Sequence, residues 1–366
     1  YCFQCHDTDG KKGGVDLESM RDATSIGRDE ALWERVHGML LSGQMPPEDK
    51  PQPSEFDRED VAGFVEEELD RAVRAMRPDP GRVTARRLNR QEYDNTLRDL
   101  IGLKYTLSQK FPVDDSGYGF DNNGDVLSIS PLHMERYWTA ADAAVESVFR
   151  NEAATRPKSD REPAERFIFV CGHWKGEHES GCGNTVLRKF ATRAYRRPVT
   201  SAEVKDLLRL VNLAQKQGDS FEDGVKLAVK AVLVSPKFLY RIEQHGKPNK
   251  TNHIERVNDF ELASRLSYFL WSSMPDVELF GLAREGTLAD PEILSQQVKR
   301  MIGDEKSAAL IRNFAGQWLE LRNLAALRRP RSQWPDFSGE LKNAMGRESY
   351  RFFGTGLRED MSILNF

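Results

Sequence analysis

Cys2-Phe3-Gln4-Cys5-His6 places two thiols two residues apart, with an imidazole directly after them. One turn of backbone can offer both sulfurs to a single flat partner, and the next side chain can reach a metal at its centre. That is the chemistry of covalent haem attachment. Cys2 and Cys5 would form thioethers with the porphyrin vinyl groups, and His6 would be the proximal iron ligand. A zinc half-site needs a second Cys/His pair close by, and none follows before His37. A redox dithiol of the thioredoxin kind belongs in a βαβ pattern, which this region lacks.

Haem iron then needs a sixth ligand or an open distal face. Met20, His37, Met39 and Met45 are the candidates. Met39 falls in the helical run Asp29–Leu41 beside Val36 and Leu40, where core packing is the expected role. His37 reads as a surface or core histidine. Met45 lies outside any helix, in Ser42-Gly43-Gln44-Met45-Pro46-Pro47. Gly43 lets the chain turn, and the two prolines stiffen an extended segment that can aim a thioether inward. Met45 is therefore preferred as the distal ligand opposite His6, with an open distal face or another ligand as the alternative.

Cys2-Phe3-Gln4-Cys5-His6-Asp7, then Trp33, then Gln44-Met45-Pro46-Pro47, resembles the planctomycete-type cytochrome c domain. In that family the methionine of Met-Pro-Pro is the distal ligand, which the resemblance carries onto Met45. The family has a helix before its first cysteine, whereas this sequence starts one residue before Cys2, so truncation at that end is expected.

The chain has 366 residues, 39% hydrophobic and 30% charged, enough for several domains with a sizeable core. That composition excludes a disordered or membrane-embedded chain, and no apolar run reaches the length of a membrane helix. A net charge of −4 makes no case for nucleic acid. Its distribution is uneven. The first 76 residues carry a net charge of −9, which suits a redox partner protein with a basic surface or a basic neighbour within the chain. A merely solvated acidic surface fits equally.

The remaining elements must be read from pattern. A helix is expected over 51–76, with Val61, Phe64, Val65, Leu69 and Val73 as its apolar face, and Arg77-Pro78-Asp79-Pro80-Gly81 ends the first domain. Asn89/Glu92, Thr200/Glu203 and Asn258/Glu261 have the spacing of helix-capping pairs. Further helices are expected from Pro131 to about Arg150, after Cys182 as far as Ala194, over 221–234, from Pro291 to Gly303, over 305–322, and from Ser338 to Phe353. Arg166–Cys171 is the one strand-like run. The fold class is therefore all-α. A small c-type cytochrome domain (1–77) precedes helical-bundle modules over 82–150, 165–245 and 253–366, with one short strand-like segment.

A second resemblance covers most of 86–366. Arg87-Leu88-Asn89-Arg90-Gln91-Glu92-Tyr93, Gly119-Phe120-Asp121-Asn122, Arg193-Ala194-Tyr195-Arg196-Arg197-Pro198-Val199, Ser235–Arg241 and Ala263–Trp271 are similar, in order, to the helical domains of unknown function that accompany planctomycete cytochromes. It implies an architecture and a haem but no reaction, and a C-terminal module that continues past residue 366.

Cys171 and Cys182 remain as an even pair. Haem c is attached outside the cytoplasm, so a periplasmic or other extracytoplasmic location is expected, and that compartment permits a Cys171–Cys182 disulfide. The related family has similar cysteines. A zinc site using His173 and His178 with the two sulfurs, or two unpaired thiols, are the alternatives. The loop Asp114–Asp125 has some features of a calcium loop, but Tyr118 and Asp125 stand at positions that disfavour it, and an Asx-rich turn is preferred. Arg193, Arg196 and Arg197 are expected to pair with carboxylates rather than to bind an anion.

Electron transfer through haem c is the function these residues favour. A haem-linked enzyme is the second reading, with a substrate site in the helical region and polysaccharide suggested only by family association. A surface binding or scaffold module is the third. No Ser/His/Asp set, phosphate-binding glycine loop or close carboxylate pair supports a named reaction.

Overall fold

The computed structural model describes residues 1–20, 22, 24–75, 85–154, 168–171, 178, 181–243, 256–330, 332–362 and 364. The chain divides into two compact units, Tyr1–Gly81 and Arg82–Phe366.

In the first unit a short helix α1 (Thr24–Arg28) leads into α2 (Glu30–Leu41), whose start is capped by the Asp29 side chain. Pro51 and Pro53 keep the following chain out of helix, so α3 begins only at Glu55 and runs to Ala75. Ser54 Oγ accepts the Asp57 N–H at 3.0 Å at its start. α3 packs on α1 and α2. Gly27 makes this approach possible, because a Cβ there would lie 2.7 Å from the Ala72 Cβ. The buried side is Ala62, Val65 and Glu68, not the full stripe expected from the sequence; Val61, Phe64 and Val73 are exposed. The core is small, built from Leu17, Ile26, Leu32, Leu40, Ala62 and Val65.

Among the described residues of the second unit, the regular structure is helical apart from one two-stranded ribbon. It comprises α4 (Arg90–Ile101), α5 (Pro131–Ala154), α6 (Cys182–Ala194), α7 (Ser201–Lys216), α8 (Phe221–Leu233) and the single turn α9 (Pro236–Leu239). These are followed by α10 (Asp259–Trp271), α11 (Val277–Glu285) and α12 (Pro291–Gly303). The helix expected over 305–322 is interrupted: α13 (Ala308–Leu310) and α14 (Gly316–Trp318) flank a π turn at Ile311–Ala315. The last helix, α15, spans Gly339–Arg358.

All three expected capping boxes form, at Asn89/Glu92, Thr200/Glu203 and Asn258/Glu261. Each satisfies amides that a helix start would otherwise leave unbonded. The strand-like run is a correction. Its described part, residues 168–171, is a bend and a turn that buries Ile168 and Phe169; Arg166 and Phe167 lie outside the described residues. A short apolar run looks the same whether it pairs as a strand or plugs a core as a loop. Among the described residues the strands are β1 (Arg86–Arg87) and β2 (Tyr240–Arg241), antiparallel, with Arg87 opposite Tyr240.

One apolar core runs from Leu88 on β1's flank through α4–α9 and reaches Tyr268, Met274 and Phe280. A second gathers around Trp271, whose indole N–H donates to the Met301 carbonyl at 2.9 Å.

Candidate functional site

Cys2–Gln4 forms a short 3-10 turn, and the Cys2 carbonyl accepts the N–H groups of Cys5 at 3.2 Å and His6 at 3.0 Å. The two cysteines and the histidine therefore share one turn, as their spacing requires. That turn is tied to the rest of the unit by Lys12 N–H on the Cys5 carbonyl (2.9 Å) and Leu17 N–H on the His6 carbonyl (2.8 Å). The His6 ring is half-buried, and its Nδ1 is buried with no hydrogen-bond partner among the described residues.

Met45 follows α2 on the loop that Gly43 opens, with Gly43 at φ 68°. Two side chains hold this loop. Arg58 of α3 donates to the Met45 carbonyl at 2.7 Å, to the Leu40 carbonyl at 3.1 Å and to Gln52 Oε1 at 2.9 Å. The Gln52 amide in turn donates to the carbonyls of Pro46 (3.2 Å), Pro47 (2.8 Å) and Lys50 (3.0 Å). Sequence reasoning missed both residues, since nothing local marks them as loop clamps.

Met39 departs from expectation. It is 39% exposed, against 38% for Met45, so burial does not separate the two thioethers. Their supports do: Met39 rides on a regular helix, whereas Met45 sits on a loop with dedicated polar fixings.

The residues suit a porphyrin. Tyr1, Phe3, Leu41, Met39 and Met45, all beside the cysteine turn or the methionine loop in sequence, expose large apolar side chains. Apolar ring faces laid against them would remove that surface from water, at about 25 cal/mol per Å².

In the second unit the motif residues are mostly structural. Arg87 and Asp114 form a buried ion pair at 2.8 Å, and the Arg90 N–H donates to the other Asp114 oxygen at 2.7 Å. Asp121 accepts from Asn89 Nδ2 at 3.0 Å and pairs with Arg322 at 2.6 Å. Asp114 and Asp121 of the Asp114–Asp125 loop are thus engaged with donors outside the loop.

The arginine cluster divides its labour. Arg197 pairs with Glu203 in the expected way, at 2.8 Å and 3.1 Å. Arg193 instead caps the end of α4, donating to the carbonyls of Asp99 (2.7 Å) and Leu100 (3.2 Å). Arg196, buried and at φ 58°, donates to the carbonyls of Lys237, Phe238 and Tyr240. Unpaired carbonyls at helix and turn ends, rather than carboxylates, claim these two side chains.

Cys171 and Cys182 come together, their sulfurs within 4.8 Å of one another and of a His178 ring nitrogen. No disulfide joins them. His173, the other imidazole considered, lies outside the described residues.

Four family models match this chain. Residues 2–49 match Planctomycete cytochrome C. Three further stretches match families described as proteins of unknown function: DUF1587 over 86–150, DUF1595 over 182–243 and DUF1592 over 257–366. By class, the described residues form an all-α protein whose first part carries the match to a cytochrome family. Its architecture is the planctomycete cytochrome C domain followed in order by the DUF1587, DUF1595 and DUF1592 domains, and the cytochrome family implies covalently bound haem c. No curated protein and no solved structure matches the chain. Among the described residues no helix is long and apolar enough to cross a membrane.

Proposed function

We propose that the chain is an extracytoplasmic electron carrier, with haem c held by Cys2 and Cys5 as thioether donors and by His6 and Met45 as axial ligands. Bound there, haem supplies a one-electron couple, and a Met/His ligand pair raises its potential. The observation that carries the reading is the fixing of the Met45 loop by Arg58 and Gln52. With haem bound, a Met45 thioether on the iron would exclude small ligands and would leave the ligand set the same in both oxidation states. Little reorganisation then accompanies electron exchange. The net charge of −9 over residues 1–76 suits a partner protein with a basic docking face.

The haem-linked enzyme reading requires an open distal position or a substrate cleft of catalytic groups. The carboxylates and arginines singled out in the second unit are instead occupied by structural partners. The test is the optical spectrum of the matured protein, reduced and oxidised, with and without carbon monoxide. A carrier ligated by His6 and Met45 shows no carbon monoxide adduct. Stoichiometric uptake by the reduced form would move the function to the enzyme reading.

A further inference from the structure

The Cys171–Cys182 pair has a third member that its sequence spacing alone does not position. His178 Nδ1 lies 3.5 Å from Cys171 Sγ, and the donor atoms of Cys171, His178 and Cys182 all fall within 4.8 Å of one another. A tetrahedral zinc with bonds of about 2.3 Å to sulfur and about 2.0–2.1 Å to nitrogen holds those two atom types about 3.5 Å apart. A disulfide would instead need its sulfurs at about 2.05 Å.

The ring is also oriented as a metal ligand. Its other nitrogen, Nε2, faces Glu222 Oε1 at 3.6 Å, and both side chains are largely buried (4% and 13% exposed). Carboxylate–histidine pairs of this kind fix the tautomer and direct the free nitrogen at a metal. Phe169 stacks on the imidazole at 5.3 Å and Phe221 lies across it at 4.7 Å, so the ring has little freedom to turn away. Cys182 is the first residue of α6, where the unbonded backbone amides favour the negative charge of a thiolate.

We propose that Cys171 Sγ, Cys182 Sγ and His178 Nδ1 bind a zinc-class divalent ion, oriented by Glu222, with solvent completing the tetrahedron. Binding releases both thiol protons to solvent and leaves His178 neutral, its Nε2–H directed at Glu222; no electron is transferred. The ion would tie the 168–171 turn and residue 178 to the starts of α6 and α8.

The test is zinc content of the full, haem-loaded chain, purified without chelator, by elemental mass spectrometry with haem iron as the internal count. About one zinc per iron is expected, together with two thiols that become alkylable after denaturation in chelator without reductant. Cys182→Ser should lower zinc at least tenfold. Glu222→Gln, which keeps both thiols and the ring, should weaken zinc affinity about 10-fold or more with unchanged helix content. The proposal fails if the chain is 2 Da lighter than its reduced mass and has no alkylable thiol, which is the disulfide. It also fails if both thiols are reactive but dialysis against micromolar zinc leaves no bound metal.

Discussion

Arg58 on α3 donates to the backbone carbonyl of Met45 at 2.7 Å, so the loop carrying the proposed distal ligand is fixed by a helix that follows it in the chain. The same guanidinium reaches Leu40 at the end of α2 and Gln52 before α3. One side chain thus closes the 40–52 segment on itself. Arg58 thereby holds the backbone that carries the Met45 side chain.

Arg58→Ala should therefore leave haem covalently attached and cost about 1–2 kcal/mol of stability in the cytochrome unit. Its distinctive effect should be spectroscopic: a weaker thioether–iron band and measurable carbon monoxide uptake by the reduced protein. A melting point lowered without any change in the spectrum would mean that Arg58 supports the fold but not the ligand.

A buried ion pair dominates the first helical motif of the second unit. Arg87 and Asp114 are 2% and 5% exposed at the side chain. Asp114→Asn leaves the Arg87 charge uncompensated and should cost about 3–5 kcal/mol, read as a lowered denaturation midpoint with reduced helical circular dichroism. A loss below about 1 kcal/mol would show that the carbonyls of Leu88 and Ser128, which Arg87 also reaches, are sufficient partners.

Glu203 should make the helical unit acid-sensitive. Its hydrogen bonds from Arg197, assisted by Lys237 and the Thr200 amide, hold its carboxyl well below the ordinary 4.5, against a smaller opposing effect of burial. A folded value below the unfolded one adds stability that is fully present above pH 4.5 and is lost as pH falls from there toward the depressed value. Glu203→Gln should cost about 1 kcal/mol near pH 7, and the gap from the unsubstituted chain should close below pH 4.5. A gap independent of pH between 3 and 7 would contradict this assignment.

Much of the secondary structure was legible because its determinants are local. Asn89 with Glu92, or Thr200 with Glu203, satisfies amides three residues away, and Gly102 ends α4 at φ 69° where a side chain would be strained. What escaped depends on distant partners. β1 and β2 pair across more than 150 residues and are rich in arginine, so no alternation marks them. α11 begins at an ordinary Asp276 cap that no capping pair advertises. The π turn at Ile311–Ala315 breaks a run whose apolar spacing alone reads as continuous helix. At the candidate sites the pattern held the proposed ligands but not their supports: Cys2, Cys5, His6 and Met45 stand out by type and spacing. Arg58 and Glu222 gain meaning only once the fold brings them to Met45 and His178.

Met45, and not Met39, is proposed to complete the iron's ligand set. Equal exposure of the two side chains removes packing as a discriminator, and Met39→Ala should cost under about 1 kcal/mol because that side chain is not buried. The deciding measurement is the thioether-to-iron charge-transfer band at the red end of the oxidised spectrum, compared in Met45→Ala and Met39→Ala. Met45→Ala should abolish the band, open the reduced iron to carbon monoxide and leave the fold intact, while Met39→Ala should keep the band. A band that survives loss of Met45 and disappears with Met39 would contradict this ligand assignment.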